Sequence, residues 1–161
     1  MGAVTERQVE NYLIEQQADL YRLAYSYLHS KEDALDAVQT TACRVLEKWQ
    51  SLRDPNALRT WVTRILVNVC TDLLRQRKRV VLASEEMLDT GSYHDPDPAD
   101  SLEEQLGQLP TEIQTVIRLR FFRQFSLTEI AEVTGWNLST VKTRLYTGLK
   151  KLRVSMEGGA V

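Results

Sequence analysis

The chain has 161 residues, 43% of them apolar and 26% charged, with a formal net charge of −2; this is the composition of a folded protein with room for one medium domain or two small ones. No apolar run reaches the roughly 18 residues of a membrane span and no hydrophobic core follows the N-terminus, so neither membrane insertion nor a secretory signal is expected. Cys43, Cys70, His29 and His94 lie too far apart for a zinc module of familiar spacing or a disulfide framework, and the seven glycines form no phosphate-cradling loop, so no metal, cofactor or catalytic residue is predicted.

The first three predicted elements are helices. Residues 6–28 place Val9, Leu13, Leu20, Leu23, Ala24 and Tyr27 mostly at helical spacing. Residues 32–49 repeat Leu35, Val38, Ala42, Val45 and Trp49 at steps of 3, 4, 3 and 4, one apolar stripe. A break at Asp54-Pro55-Asn56 suits a turn or the first turn of a helix. The third helix, 57–78, carries Leu58, Val62, Ile65, Val69 and Leu73 on one face, widened by Trp61, and ends in the basic cluster Arg75–Arg79. Opposite that face runs Thr60, Arg64, Asn68, Asp72 and Arg75. Asn and Asp can pair with base edges while arginines hold phosphates, although a plain solvent-facing stripe has the same pattern. Trp61 can stack on a base, but burial is the commoner state of a tryptophan.

Residues 80–100 lose periodicity and read as a linker. The segment 80–109 contains eight acids and no Lys or Arg, whereas 1–79 carries 12 bases against 10 acids and 110–161 carries eight against four. Two mildly basic segments therefore flank an acidic connector, a division that the overall charge conceals. The DPDPAD stretch beside His94 contains metal-ligand residue types, but a solvated acidic loop accounts for it without a second shell.

Helices return over about 101–107, 111–123, 127–134 and 138–153. Within them LTEIAEVTGWNLSTVKTRLY (127–146) fits a helix-turn-helix. Ala131 is small where two helices would cross, Gly135 supplies a left-handed turn, and Val141 plugs the second helix into the core. Ile130, Val133, Trp136 and Leu138 complete the apolar contacts, and Asn137 or Ser139 can cap the second helix. That helix places Val141, Leu145, Leu149 and Leu152 inward and offers Thr140, Lys142, Thr143, Arg144, Tyr146 and Thr147 outward, side chains suited to a major groove. A solvated amphipathic helix is the alternative. Against it stands the single acid, Glu157, beyond Thr134.

Both segments resemble one family, the bacterial extracytoplasmic-function (group IV) RNA polymerase sigma factors. The resemblance rests on EDALDAVQTTACRVLEKW (32–49), on Trp61, Ile65, Asn68, Asp72 and Arg75 within 59–79, and on LPTEIQTVIRLRFF (109–122) followed by SLTEIAEVTGWNLSTVKTRL (126–145). It implies an all-α protein of two small helical domains: a region 2 domain over 1–79, a linker over 80–101, a region 4 domain over 102–155 and a tail over 156–161. It also implies no catalytic chemistry. Its partners would be core RNA polymerase, promoter DNA and a cognate anti-sigma factor, often membrane-bound, acting on a protein of the bacterial cytoplasm. Asp33, Asp36 and Gln39 would meet the clamp helices of the polymerase. Arg53, Asp54 and Asn56, in the loop 50–57, would help capture a flipped base of the −10 element. Arg64, Asn68, Asp72 and Arg75 would read or hold its neighbours, and the outward residues of 138–153 would read the −35 element. The linker would either mimic RNA in the polymerase channel or serve as a soluble tether. Thr40 and Leu35 stand where the family commonly carries acids, and Tyr146-Thr147-Gly148-Leu149 is less basic than its usual continuation. A self-standing helix-turn-helix regulator is the other reading; it would need a dimerisation surface in the N-terminal segment.

Overall fold

The computed structural model describes residues 3–83 and 98–159. Helix α1 (Glu6–Leu28) opens on a reciprocal cap: the Gln8 amide donates to the Thr5 hydroxyl (3.2 Å) and the Thr5 amide donates to Oε1 of Gln8 (2.9 Å). Two donors that a helix start leaves unpaired are thereby satisfied. The helix stops at His29, whose backbone is left-handed at φ 51°. Ser30 then caps α2 (Lys31–Lys48) by accepting from the Asp33 amide. Two 3-10 turns, Trp49–Ser51 and Pro55–Ala57, lead into α3 (Leu58–Ala83). These three helices pack on one another around Val9, Leu20, Leu23, Ala34, Val45, Val62 and Leu66, all essentially closed to solvent.

The inward face of α2 is rotated from the stripe that its larger residues suggest. Ala34, Ala37, Thr41 and Val45 are buried, whereas Leu35 and Leu46 are 52% and 43% exposed. Alanine lets the helices approach closely, and the Thr41 hydroxyl satisfies itself on the Ala37 carbonyl at 2.7 Å. Helix α3 runs to Ala83 rather than 78, because Val80-Val81-Leu82 contains no residue that stops a helix.

The second cluster comprises α4 (Pro98–Gly107), α5 (Thr111–Phe121), α6 (Leu127–Thr134) and α7 (Leu138–Gly159). Helix α4 starts three residues earlier than expected, at a proline, which the first helical position accepts. Asp95-Pro96-Asp97 of the linker and His94 lie outside the described residues. Among the described residues no strand occurs, and the helices form two small clusters, the all-α organisation that the sequence implied.

Every residue of α5 from Ile113 to Leu119 is buried, because α7 covers one side and the first cluster abuts the other. Helix α5 presses tightly on α7 at Gly148. A β-carbon there would lie 2.5 Å from Cγ2 of Ile113 and 2.6 Å from Cδ1 of Ile117. Glycine inside a helix costs about 1 kcal/mol against alanine, but here it allows the two helices to touch. Gly148→Ala is therefore expected to lower stability by about 1 kcal/mol net, since overpacking of about 1–3 kcal/mol outweighs the propensity gain. A urea titration showing a more stable variant would contradict the packing role.

The clusters are docked through α3 and α6 and through the N-terminal half of α1. The Tyr27 hydroxyl donates to Oγ1 of Thr115 at 2.7 Å, and the Arg118 guanidinium lies over the Tyr27 ring. Arg59 reaches Oε2 of Glu129 (2.9 Å) and the Arg123 carbonyl (2.8 Å), and it stacks on Phe125. Arg123 in turn donates to Oε1 of Gln16 at 3.1 Å and lies 3.7 Å from Asp19.

Candidate nucleic-acid interface

The helix-turn-helix is built as its spacing predicts. Ser126 and Glu129 form a capping box at the start of α6, with Glu129 Oε1 accepting from the Ser126 amide (2.9 Å) and the Glu129 amide donating to the Ser126 hydroxyl (3.1 Å). That backbone N–H, aided by Arg59, holds the Glu129 carboxyl below the usual range despite partial burial. The charge is therefore present at neutral pH and is lost only on acidification below that range. Gly135 ends α6 at φ +79°, a conformation open to glycine and strained for other residues. Of the two candidate caps for α7 it is Asn137 that acts, its Oδ1 accepting from the Thr140 amide (2.9 Å) and the Ser139 hydroxyl (3.1 Å).

Ile130, Val133, Val141, Leu145 and Leu152 are buried, as their spacing requires. Leu138 and Leu149 are not: both are more than a third exposed. Gly148 takes the inward position beside Leu149, and Leu149 instead lines an open apolar groove with Leu102, Leu106, Phe121, Phe122 and Leu152. An apolar surface of this kind, rimmed by Glu103 and Arg153, is the usual mark of a protein-binding site.

On the outer face of α7, Lys142, Thr143 and Tyr146 are exposed and Thr140 and Thr147 are half-buried. Arg144 differs. Its guanidinium rests 4.0 Å from the centre of the Trp136 ring, and its Nη1 is buried without a hydrogen-bond partner among the described residues. The Thr143 hydroxyl is occupied as well, donating to the Ser139 carbonyl.

On α3, Arg64, Asn68, Asp72 and Arg75 form an exposed row, whereas Thr60 is buried and bonded back to the Ala57 carbonyl. Asp72 and Arg75 pair with each other at 3.3 Å. Trp61 is half-buried against the first core. In the preceding loop Arg53 and Asn56 are exposed, and Asp54 accepts from the Asn56 amide at 3.0 Å, so its carboxylate shapes the turn. On α2, Asp36 and Gln39 line a groove with Cys43, Arg44, Asp72 and Gln76, and exposed Leu35 and Leu46 lie on the same helix. Asp33 is bound instead to Arg77, which also donates to the Leu28 carbonyl at 2.7 Å. Burial pushes the Cys70 thiol up to about 12, which keeps it in the unreactive protonated form. Among the described residues no group of His, Cys, Asp or Glu could hold a metal ion.

Sequence reasoning missed Tyr27, Arg59, Arg118, Arg123 and Glu129, which tie the clusters together. No local pattern could have found them, because each partner lies on a distant element.

Residues 13–80 match the family model described as Sigma-70 region 2, and residues 99–152 match the one described as Sigma-70, region 4. The chain is 39% identical over 150 residues to the RNA polymerase sigma factor SigV of Bacillus subtilis (strain 168), an alignment covering 89% of this chain and 88% of that protein. It is 32% identical to the ECF RNA polymerase sigma factor SigE of Mycolicibacterium smegmatis (strain ATCC 700084 / mc(2)155), over 88% of this chain and 59% of the relative. Its fold is shared with the sigma factor RpoE solved in complex with the anti-sigma factor NepR from Bartonella quintana, with a TM-score of 0.72 and 22% identity over 92% of this chain and 98% of that one. Region 2 followed by region 4 defines a protein of the sigma-70 class. The chain belongs to the extracytoplasmic-function RNA polymerase sigma factors, and it directs polymerase to promoters.

Proposed function

We propose that the first cluster docks on core polymerase through Asp36 and Gln39 of α2, with Asp33 tied to Arg77 as a support, and meets the −10 element with the loop residues Arg53, Asp54 and Asn56 and the α3 row Arg64, Asn68, Asp72 and Arg75. The second cluster places α7 in the major groove of the −35 element. The observation carrying this reading is the presence of two outward polar helix faces, on α3 and α7, on modules matched to region 2 and region 4 in that order. Extruding a base costs a few kcal/mol, so a reader that accepts a flipped base selects sequence and promotes opening in one step. Two weak readers on one body gain avidity when both are engaged.

The protein acts without catalytic residues of its own, in the bacterial cytoplasm where polymerase works. Among the described residues no helix is long and apolar enough to cross a membrane. Control by an anti-sigma factor is supported by the open apolar groove on the second cluster and by the RpoE structure, which was solved with an anti-sigma factor; membrane association of that partner is a further part of the proposal.

Run-off transcription with purified core enzyme on a promoter library tests the reading, with size-exclusion alongside: the protein is expected to move into the polymerase peak and confer start sites. Tight promoter binding without any association with core would instead favour a self-standing regulator. Asn68→Ala is expected to reduce open-complex formation, read by permanganate footprinting, by about tenfold, on the scale of one lost base contact, while leaving core affinity unchanged. Asp36→Ala is expected to reverse that pattern.

A further inference from the structure

Between α3 on one side and α5 with α6 on the other lies a cleft of about 410 Å³, a volume within the range of small-molecule sites. It is a fixed feature of the fold, because the buried apolar residues of both clusters form one continuous core.

One wall is a single face of α3. Asn68, Thr71, Arg75 and Lys78 follow at steps of 3, 4 and 3, the spacing that aligns side chains along a helix. Their hydrogen-bonding capacity is largely uncommitted. The Asn68 side-chain amide and the Lys78 ammonium have no partner among the described residues. Arg75 gives only Nη1, at 3.3 Å, to the exposed Asp72.

The facing wall begins with Thr111 and Glu112, the first two residues of α5. Backbone N–H groups at a helix start have no acceptor inside the helix and favour an anion. Glu112 is exposed and, like Lys78, unpaired among the described residues, so two opposite charges line one cleft without meeting. The rest of the lining is more apolar: Val67 and Val133 are buried, and Trp136 is half-buried with the Arg144 guanidinium over its ring.

These groups sort into three kinds of chemistry. Arg75 and Lys78 supply two cations for an anion, with a further donor from Asn68. Trp136 with Val67 and Val133 supplies an apolar surface for a flat ring. Glu112 accepts from hydroxyl groups between the two. A bare anion would use only the first of these and an uncharged ring only the second.

We propose that the cleft between α3 and the α5–α6 face is a binding site for a mononucleotide, its phosphate held by Arg75 and Lys78, its base against Trp136 and its sugar hydroxyls on Glu112. The site goes beyond promoter reading and stands without it, although Asn68 and Arg75 also belong to the α3 row assigned to the −10 element.

Isothermal titration calorimetry of the full chain with AMP, GMP, CMP and UMP in turn tests the site, with inorganic phosphate and adenosine titrated alongside. At least one mononucleotide should bind saturably with a Kd of about 1 mM or tighter, and phosphate and adenosine should each bind at least about tenfold more weakly, since each reaches one part of the cleft. Lys78→Ala should weaken the mononucleotide by about tenfold, the lower end for a charged hydrogen bond because the side chain is exposed. Arg79→Ala removes the neighbouring exposed cation, which does not line the cleft, and should leave the affinity within about twofold. Glu112→Ala should weaken the mononucleotide without weakening phosphate, because the carboxylate meets the hydroxyls and not the anion.

No saturable binding of any of the four mononucleotides would overturn the site. Equal losses in Lys78→Ala and Arg79→Ala would also overturn it, since they would show attraction to the basic end of α3 at large. Phosphate bound as tightly as the mononucleotide, or Glu112→Ala weakening both alike, would overturn the mononucleotide assignment. Promoter reading is judged separately, by run-off transcription with core enzyme, so its failure and the failure of this site are distinct results.

Discussion

Alanine at both Lys142 and Arg144 is expected to weaken binding of the polymerase complex to a −35 duplex by about ten- to a hundredfold, and to make the log–log salt dependence shallower by about 2, roughly one unit per lost phosphate contact. The two residues should not contribute equally. Lys142 projects freely from α7, while Arg144 rests on Trp136 at 4.0 Å. Leaving the ring forfeits a cation–π contact of about 0.5–2 kcal/mol, which offsets part of what Arg144 gains on DNA. Lys142→Ala alone should therefore account for more of the loss than Arg144→Ala alone. Fluorescence anisotropy at several salt concentrations measures both affinity and slope, and a variant with the wild-type slope would remove these residues from the phosphate backbone.

Phe125→Ala is expected to cost about 3–5 kcal/mol, the range for emptying a buried phenylalanine site and a large fraction of the 5–15 kcal/mol that holds a typical protein folded. Phe125 is fully buried, with the Arg59 guanidinium 4.0 Å and the Arg123 guanidinium 5.4 Å from its ring centre. Its loss leaves a cavity and strips two cations of their aromatic partner. Phe121, four residues earlier and 58% exposed, provides the contrast: Phe121→Ala should change stability by no more than about 0.5 kcal/mol, as surface positions do. Urea denaturation of the two variants side by side is the check. Equal losses would show that the depth of burial is not what separates them.

The helix-turn-helix was legible because each of its special positions answers a separate steric demand. Gly135 takes the positive φ, Val141 is buried, and the side chain that caps α7 belongs to one of the two candidates flanking Leu138. The outward row on α3 was legible from Arg64 to Arg75 for a similar reason, a period that places four residues on one face. Where the reading slipped, size misled it. Leu35 looked more core-like than Ala34 or Ala37, but close helix approach favours small residues, so α2 turns its alanines inward. Gly148 lowers the helix propensity of α7, and it is where Ile113 and Ile117 of α5 press against that helix.

The residues themselves determined the number and approximate limits of the helices, the turn chemistry between them and the order of the two modules, because capping, periodicity and left-handed turns act within a few positions along the chain. Only the tertiary structure decided which second face each helix buries and what joins the modules. Leu66, Val67 and Cys70 are buried on α3 beside its expected face. Arg59 finds its partners 64 and 70 residues away. Periodicity specifies that a helix has a face to cover, but the neighbour that covers it arrives from elsewhere in the chain, and an ion pair between them leaves no mark on either local pattern.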